Sequence, residues 1–412
     1  MKFEAPRGTH DVLPSQQPLW ERVIRETERL CTLYGYRRIT VPVFEDTEVF
    51  ARTSGAGSDI VQKEMYTFTD RGDRSLTLRP EATASVARAY IQHGLHREPQ
   101  PVKTFFVGPI FRYAAPQRGK FREFWQLNVE AMGSDDPALD AELIQLFDQL
   151  LRRLEIRGSW LELNSIGDRT CRPGYLVQLN AWLDEHAEEL DEETLEKRRT
   201  SPLRVFDNLA QKPEAVQQAL ARAPKIGESL CEECEAHFAA VRGYLDAYGV
   251  EYRLTPTLVR GLDYYTRTTF EFMGEALGAQ SSLCGGGRYD YLIEELGGPP
   301  TPAVGFASGI ERLVLSLTEQ GAEAPSPEVD VFFAVEEEAT RPEVIAALGE
   351  LRGAGRAAET DYAGRSLKGQ LTQAGRLGAR FTVITRGDGV TVRRAGEQDV
   401  EYASLGEALE SL

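Results

Sequence analysis

The stretch VKTFFVGPIFRYAAPQRGKFREFWQLNVEAM, residues 102–132, decides the fold. Val102 to Arg112 and Glu123 to Met132 are rich in β-branched and aromatic residues and read as two strands. Between them Pro116, Gly119 and several basic residues mark a loop. Strands joined by a loop with no intervening helix run antiparallel, because parallel neighbours need a crossover of about a dozen residues or more. Upstream, residues 65–70 and 75–80 alternate around a Gly-containing turn, a second hairpin-like pair. This connectivity predicts an α+β fold on an antiparallel sheet rather than a doubly wound parallel one.

Working outward, Leu19, Trp20, Val23, Ile24, Leu30, Cys31 and Tyr34 recur with a helical period that ends at Gly35. The β-branched run from Arg38 to Phe44 reads as a strand, and Pro42, which cannot donate a ladder bond, places it at an edge or interface. A helix is expected from Glu81 onward. Between Asp168 and His237 the pattern is helical, acidic and Leu-rich, punctuated by Pro202, Pro213 and Pro224, and the strand-rich style resumes at Glu251. That segment reads as a helical insertion. Residues 321–327 have linker composition. Beyond them come a strand (Val329 to Val335), a helix (Arg341 to Gly353), a turn, a second helix near Ser366 to Leu377 and a strand (Ala379 to Thr385), a β-α-β alternation in a small separate domain. The expected division is 1–167 and 238–320 for a split core, 168–237 for the insertion and 328–412 for the terminal domain.

At 412 residues the chain holds two to four domains by the usual soft prior. Its composition, 42% hydrophobic and 27% charged, is that of an ordinary globular protein, without the run of roughly 18 apolar residues that a membrane span requires. The first residues carry no apolar signal core, so a cytoplasmic location is expected. Five cysteines argue against a disulfide framework. Cys231 and Cys234, with His237, make half of a zinc site; since no second Cys or His pair lies nearby in sequence, the pair reads as two thiols on a helix surface and no metal is expected. The net charge of −17 speaks against nonspecific nucleic-acid coating, yet basic islands at 112–122 and 365–380 leave room for a nucleic-acid partner.

The chemistry centres on residues 258–272, where a buried-looking β pattern carries Arg260, Asp263, Tyr264 and Tyr265. Charged groups among aromatics need ionic or hydrogen-bonding partners, which points to a ligand pocket. Neither a P-loop nor a dinucleotide-binding fingerprint is present. Gly285, Gly286 and Gly287 let a strand approach a ligand or bend, or else form a tight turn. Glu81 and Thr83 flank a helix start, suiting either a cap or the capture of a substrate ammonium. Arg112 ends a strand from which it could hold a phosphate bidentately, while Gln126, Asn128 and Glu130 alternate onto one face of the next. Residues 303–313 read as a glycine-bearing strand running into a helix, either a packing contact or a nucleotide seat with Gly309 and Arg312.

These clusters, in this order, resemble the motifs of histidyl-tRNA synthetases, a class II aminoacyl-tRNA synthetase family, and Asp361 to Leu371 resembles their anticodon-binding domain. The resemblance implies a class II catalytic core with a C-terminal α/β anticodon-binding domain, a homodimer, and ATP, Mg²⁺, histidine and tRNA(His) as ligands. It implies that Glu81, Thr83, Arg112 and Gln126 meet the histidine ammonium and carboxylate or the adjacent phosphate. Glu130 and Tyr265, with Tyr264, would read the imidazole, whose N–H donor and N acceptor need an acceptor and a donor opposite. Arg260 and Arg112 would be the catalytic pair on the α-phosphate, and Arg112, Lys120, Arg122, Gly309 and Arg312 the ATP set. Two departures stand out: Ala114-Ala115 replace the family's usual Glu-Arg before Pro116, and Lys120 replaces an arginine, a point charge in place of a fork. A second reading is therefore a non-aminoacylating paralogue that binds histidine and regulates its biosynthesis. A plain nucleic-acid-binding module would leave Glu130 and the tyrosine pair unexplained.

Overall fold

The computed structural model describes residues 3–53, 63–115, 119–207, 209–275, 282–323, 329–394 and 396–412. Pro116 of the basic loop, and residues 324–327 of the expected linker, lie outside them. The chain divides into two compact units, residues 1–12 with 19–323 and residues 13–18 with 324–412. Among the described residues no helix is long and apolar enough to cross a membrane.

In chain order come α1 (Gln17–Leu33), β1 (Arg37–Arg38), β2 (Phe44–Asp46), α2 (Thr47–Thr53), the hairpin β3 (Tyr66–Thr69) and β4 (Ser75–Leu78), and α3 (Thr83–Gln92). Next come β5 (Val102–Phe111), β6 (Glu123–Met132), α4 (Pro137–Arg153) and β7 (Ser159–Ser165). The helical stretch follows: α5 (Arg172–Glu185), α6 (Glu192–Thr200), α7 (Glu214–Arg222) and α8 (Glu232–Tyr248). The larger unit closes with β8 (Arg253–Leu254), β9 (Thr266–Gly274), β10 (Ser282–Arg288), α9 (Leu292–Glu295), β11 (Ala303–Gly309) and α10 (Ile310–Glu319).

The strands predicted at 102–112 and 123–132 pair antiparallel, from Val102 opposite Met132 to Phe111 opposite Glu123. They sit within an eight-stranded sheet of order β1-β5-β6-β11-β10-β9-β7-β8. Its six inner strands are antiparallel, and parallel pairing is confined to the two-residue edges β1 and β8. Helix α4, capped by Asp136 through the Ala138 N–H, lays Leu143, Ile144, Phe147 and Leu150 into the core and packs on β11 and α8. Each such side chain contributes about 1.5–3 kcal/mol when fully buried. Asp140 on the same face would oppose that gain if unpaired. Instead it meets Arg288 at the end of β10, 2.6 Å away, with both side chains wholly buried. Arg288 holds the Asp140 carboxyl well below the usual range despite burial, and its bond to Ser134 O (3.0 Å) ties β10 to the start of α4.

Two details differ from the sequence reading. The strand expected from Arg38 to Phe44 breaks into β1 and β2, because Pro42 offers no N–H and the carbonyls of Val41 and Pro42 accept instead from Arg79 Nη1 at 2.7 and 3.0 Å. Helix α8 runs through residue 237, where the insertion was expected to end.

The smaller unit comprises β12 (Val331–Val335), α11 (Arg341–Gly353), β13 (Ala358–Thr360), α12 (Leu367–Arg376), β14 (Phe381–Arg386), β15 (Gly389–Arg394), β16 (Val400–Tyr402) and α13 (Leu405–Glu410). Its sheet has the order β13-β12-β14-β15-β16, parallel through β14 and antiparallel beyond. Val344, Leu348 and Leu405 cover one face and Ala374 with Leu371 the other. Buried Gln370 bonds both N–H and C=O of Val335, fixing α12 against β12.

Candidate active site

A cavity of about 330 Å³ lies where β6, β10 and β11 run side by side. Successive side chains of a strand alternate between faces, and Gln126 and Glu130 of β6 accordingly both reach this cavity. Glu81, Thr83 and Arg112 line it, as do Arg260, Tyr264 and Tyr265 from the segment before β9, and Lys120, Gly309 and Arg312 at the nucleotide end expected from sequence. Arg122 does not. Its guanidinium lies 3.8 Å from the Tyr113 ring centroid, and its Nε donates to Ala114 O, because residues 7 and 8 pack against it.

At the floor, Glu130 is 1% exposed, and its Oε1 accepts from Thr83 Oγ1 at 2.6 Å while its Oε2 accepts from Tyr289 OH. Burial pushes the Glu130 carboxyl up to about 8 against the opposing pull of those hydroxyls. Thr83 Oγ1 in turn accepts from Asn128 Nδ2 at 3.2 Å. The rings of Tyr264 and Tyr265 lie 4.7 Å apart, and Tyr264 meets Tyr289 edge-on at 5.7 Å. Burial raises the phenol pKa of both, so they remain hydroxyl donors at neutral pH.

Of the two roles that its sequence allowed, Glu81 shows the cap. Its Oε1 accepts from the Ala84 N–H at 2.8 Å, closing the first turn of α3, while its Oε2 is buried without a partner among the described residues. Gln126 Oε1 is buried and unpartnered too. Each such acceptor costs about 1–3 kcal/mol until a donor arrives, and an ammonium brings three. Burial raises the Glu81 carboxyl above its ordinary value.

The cationic end is equally preorganised. Arg260 pairs with Glu271 at 3.0 Å and keeps a buried, unpartnered Nε. Burial pulls its pKa down and the Glu271 carboxylate more than restores it, so it stays charged. Arg112 donates from Nε to Pro80 O at 2.6 Å with its guanidinium 5.6 Å from the Phe124 centroid. Arg312 bonds Ser282 O and Gly119 O, and Lys120 stands 3.8 Å from Glu64. Glu311 Oε1 accepts from the Trp125 N–H, and its Oε2 is a further buried acceptor without a partner among the described residues. Burial pushes its carboxyl up to about 7.

The glycine triplet lies inside β10, which excludes the tight turn and supports the close approach. A Cβ on Gly285 would overlap the Arg260 guanidinium, and one on Gly305 of β11 would overlap Glu130 Oε2. Sequence reasoning missed Gly305, Tyr289, Glu64 and Glu311. The Tyr that closes Gly285-Gly286-Gly287-Arg288-Tyr289 was a usable signal for the second of these; the others had none.

The thiol pair also departs from expectation. Cys234 is fully buried, and His237 turns away to Asp140 at 3.4 Å. Cys231 and Cys234 gather instead with Asp168 and Cys171, one donor atom of each lying within 4.8 Å of the others. The signal was Asp168-x-x-Cys171, overlooked because a second Cys or His pair was sought nearby in sequence, whereas this one is distant and carries an aspartate.

The family model described as histidyl-tRNA synthetase matches residues 8–313. A histidine–tRNA ligase of Desulforamulus reducens is 47% identical over 95% of this chain and 95% of its own. One from Halothermothrix orenii is 44% identical over 100% of both. Among solved structures, apo histidyl-tRNA synthetase of S. aureus superposes with a TM-score of 0.83 at 35% identity, covering 100% of this chain and 99% of that one. A Bacillus halodurans protein described as an ATP phosphoribosyltransferase regulatory subunit/histidyl-tRNA synthetase has a TM-score of 0.68 at 24% identity, covering 94% and 99%, a likeness of fold alone. With relatives of this identity along essentially its whole length, the chain belongs to the histidyl-tRNA synthetase family.

Proposed function

We propose that the chain is an ATP-dependent histidine–tRNA ligase that forms histidyl-adenylate and passes the histidyl group to the 3′ end of tRNA(His). The observation that carries this reading is the pairing of a closed polar floor, Thr83–Glu130–Tyr289, with unpartnered acceptors on Glu81 and Gln126 in the cavity that also holds Arg260. Glu81 and Gln126 take the ammonium, and Glu130 with Tyr264 and Tyr265 takes the imidazole. A side chain that cannot complete those hydrogen bonds leaves buried groups unpaired and is rejected strongly. The histidine carboxylate oxygen attacks the α-phosphorus as the bond to pyrophosphate breaks. Arg260 and Arg112 stabilise the charge that builds on the phosphoryl oxygens, an electrostatic role rather than proton transfer.

Lys120, Gly309 and Arg312 seat the rest of ATP, while Arg122 braces the loop. Tyr113 N–H donates to Glu64 O at 2.7 Å. That bond brings Glu64 beside Ala114, and Glu64 supplies the carboxylate absent at position 114. Glu311 fits Mg²⁺ travelling with the phosphates, since its unpartnered oxygen is a hard donor; the ion supplies charge neutralisation. Residues 1–167 and 232–320 form the catalytic core, since α8 packs on α4 and β9, with 168–231 the insertion and 328–412 the anticodon-binding domain. The enzyme works as a cytoplasmic homodimer and binds tRNA through its basic segments at 112–122 and 365–380.

The deciding test is histidine-dependent ATP–pyrophosphate exchange, followed by charging of tRNA(His). Exchange that requires histidine, with charging, is the expected result. Histidine binding with no exchange would replace this reading with that of a regulatory paralogue.

A further inference from the structure

We infer that Asp168, Cys171, Cys231 and Cys234 form a binding site for one divalent cation of the zinc class, which clamps both ends of the insertion beside the segment that carries the tyrosine pair.

One donor atom of each residue lies within 4.8 Å of the others, and two of the edges match those of a zinc tetrahedron. Cys171 Sγ lies 3.9 Å from Cys234 Sγ and 3.6 Å from Asp168 Oδ1. Zinc with thiolate and carboxylate bonds of about 2.3 and 2.0 Å needs edges of about 3.8 Å between sulfurs and about 3.5 Å from sulfur to oxygen. Asp168 is already oriented, its Oδ1 accepting from the N–H of Thr170 (2.9 Å) and Cys171 (3.4 Å). Gly167, at φ +62°, leaves the space beside Cys171 Sγ that a Cβ would invade to 2.5 Å. Cys171 and Cys231 are the N-caps of α5 and α8, so two helix N-termini meet at the cluster. Three thiolates and a carboxylate exceed a dication by two charges. Arg267 stands beside them, 3.6 Å from Asp168 Oδ2 and 3.8 Å from Glu233.

The position gives the ion a purpose. Asp168 and Cys171 open the insertion, and Cys231 and Cys234 lie where it closes. Arg172, next to Cys171, donates from Nη2 to Tyr265 O at 2.7 Å, and the Arg267 backbone pairs with Ile166 and Gly167. A filled site therefore holds Tyr265 in place from behind, acting through Arg172 as a positioning device.

Elemental analysis of the full chain, purified without chelator or metal-affinity tag, tests this. About one zinc per chain is expected, and cobalt exchanged for it should show thiolate charge transfer and tetrahedral visible bands. Asp168→Cys should keep the metal. Cys171→Ser and Cys234→Ser should weaken it at least about tenfold and raise the histidine KM with little change in the ATP KM. Should the serine variants fail to fold, the cobalt spectrum of the unaltered chain and the Asp168→Cys metal content decide alone. Protein that takes up no stoichiometric zinc on reconstitution, thiols that titrate freely in excess zinc, or a Cys171–Cys234 disulfide would each overturn the inference.

Discussion

Arg260 offers the sharpest test of how the cavity works, provided that its two jobs are separated. Its guanidinium is 3.0 Å from Glu271, with side chains 21% and 18% exposed. Removing the arginine alone strands a mostly buried carboxylate, at a cost of about 3–5 kcal/mol where burial is complete and less here. A folding defect of that size would masquerade as a catalytic one. The informative comparison is Arg260→Met with Glu271→Gln against Glu271→Gln by itself, because the neutral glutamine needs no cation. Across that pair the loss of transition-state stabilisation should be about 2.7–4 kcal/mol, or 10²–10³ in kcat. Histidine KM should move by less than about threefold, since the ammonium and imidazole contacts are untouched. ATP–pyrophosphate exchange over a histidine series reads both numbers. Equal losses in kcat and in histidine affinity would show that Arg260 holds the ground state, and the electrostatic argument would fail.

Thr83→Val preserves shape but strands Glu130 Oε1 and Asn128 Nδ2; at about 1–3 kcal/mol, histidine affinity by calorimetry should fall roughly 5- to 150-fold with ATP affinity unaffected, and a change confined to ATP would misplace the residue. Glu130 and Glu311 have ordinary values of 4.5 and are pushed up to about 8 and about 7 in the folded chain. The native state therefore binds more protons than the unfolded one across that window, and ligand-free stability should fall as pH rises from about 4.5, with the loss complete above about 8. Urea titrations at successive pH values should show this slope, flattened at its upper end by Glu130→Gln; a level profile would contradict the burial argument. If tRNA is gripped through six or more phosphate contacts, raising salt from about 50 to 200 mM should weaken binding by about 10³-fold or more, and filter binding that stays flat would remove the basic segments from the interface.

Much of the fold was legible because its decisive signals are local. The β5–β6 pair announces itself within 31 contiguous residues, and the hairpin before it within 16. Where the reading slipped, a distant residue had intervened. Nothing between Arg38 and Phe44 shows that Arg79 will take the carbonyls of Val41 and Pro42. Strand β13 is three residues long and passed for a turn, and β15 with β16 follows a run of charged and turn residues that masks its alternation. In the cavity, residue types that are costly to bury betrayed themselves, so Arg260, Glu130 and the tyrosines were visible. Arg122 misled because its flanking glycine and lysine look like a phosphate loop, whereas the segment that claims it lies at residues 7 and 8. The glycine triplet stayed ambiguous for the same reason: its meaning is set by Arg260 and by Gly305 on the next strand.

Those glycines carry a lesson for mutational mapping. A survey that trims each residue to a methyl group assumes that information resides in atoms that can be taken away. At Gly285 and Gly305 it resides in vacancy, and the same survey would add matter there, whereas a larger side chain would lose it. Damage there would register as steric intrusion into the seats of Arg260 and Glu130, so these two positions should be scored on a separate scale, with graded enlargement in place of deletion.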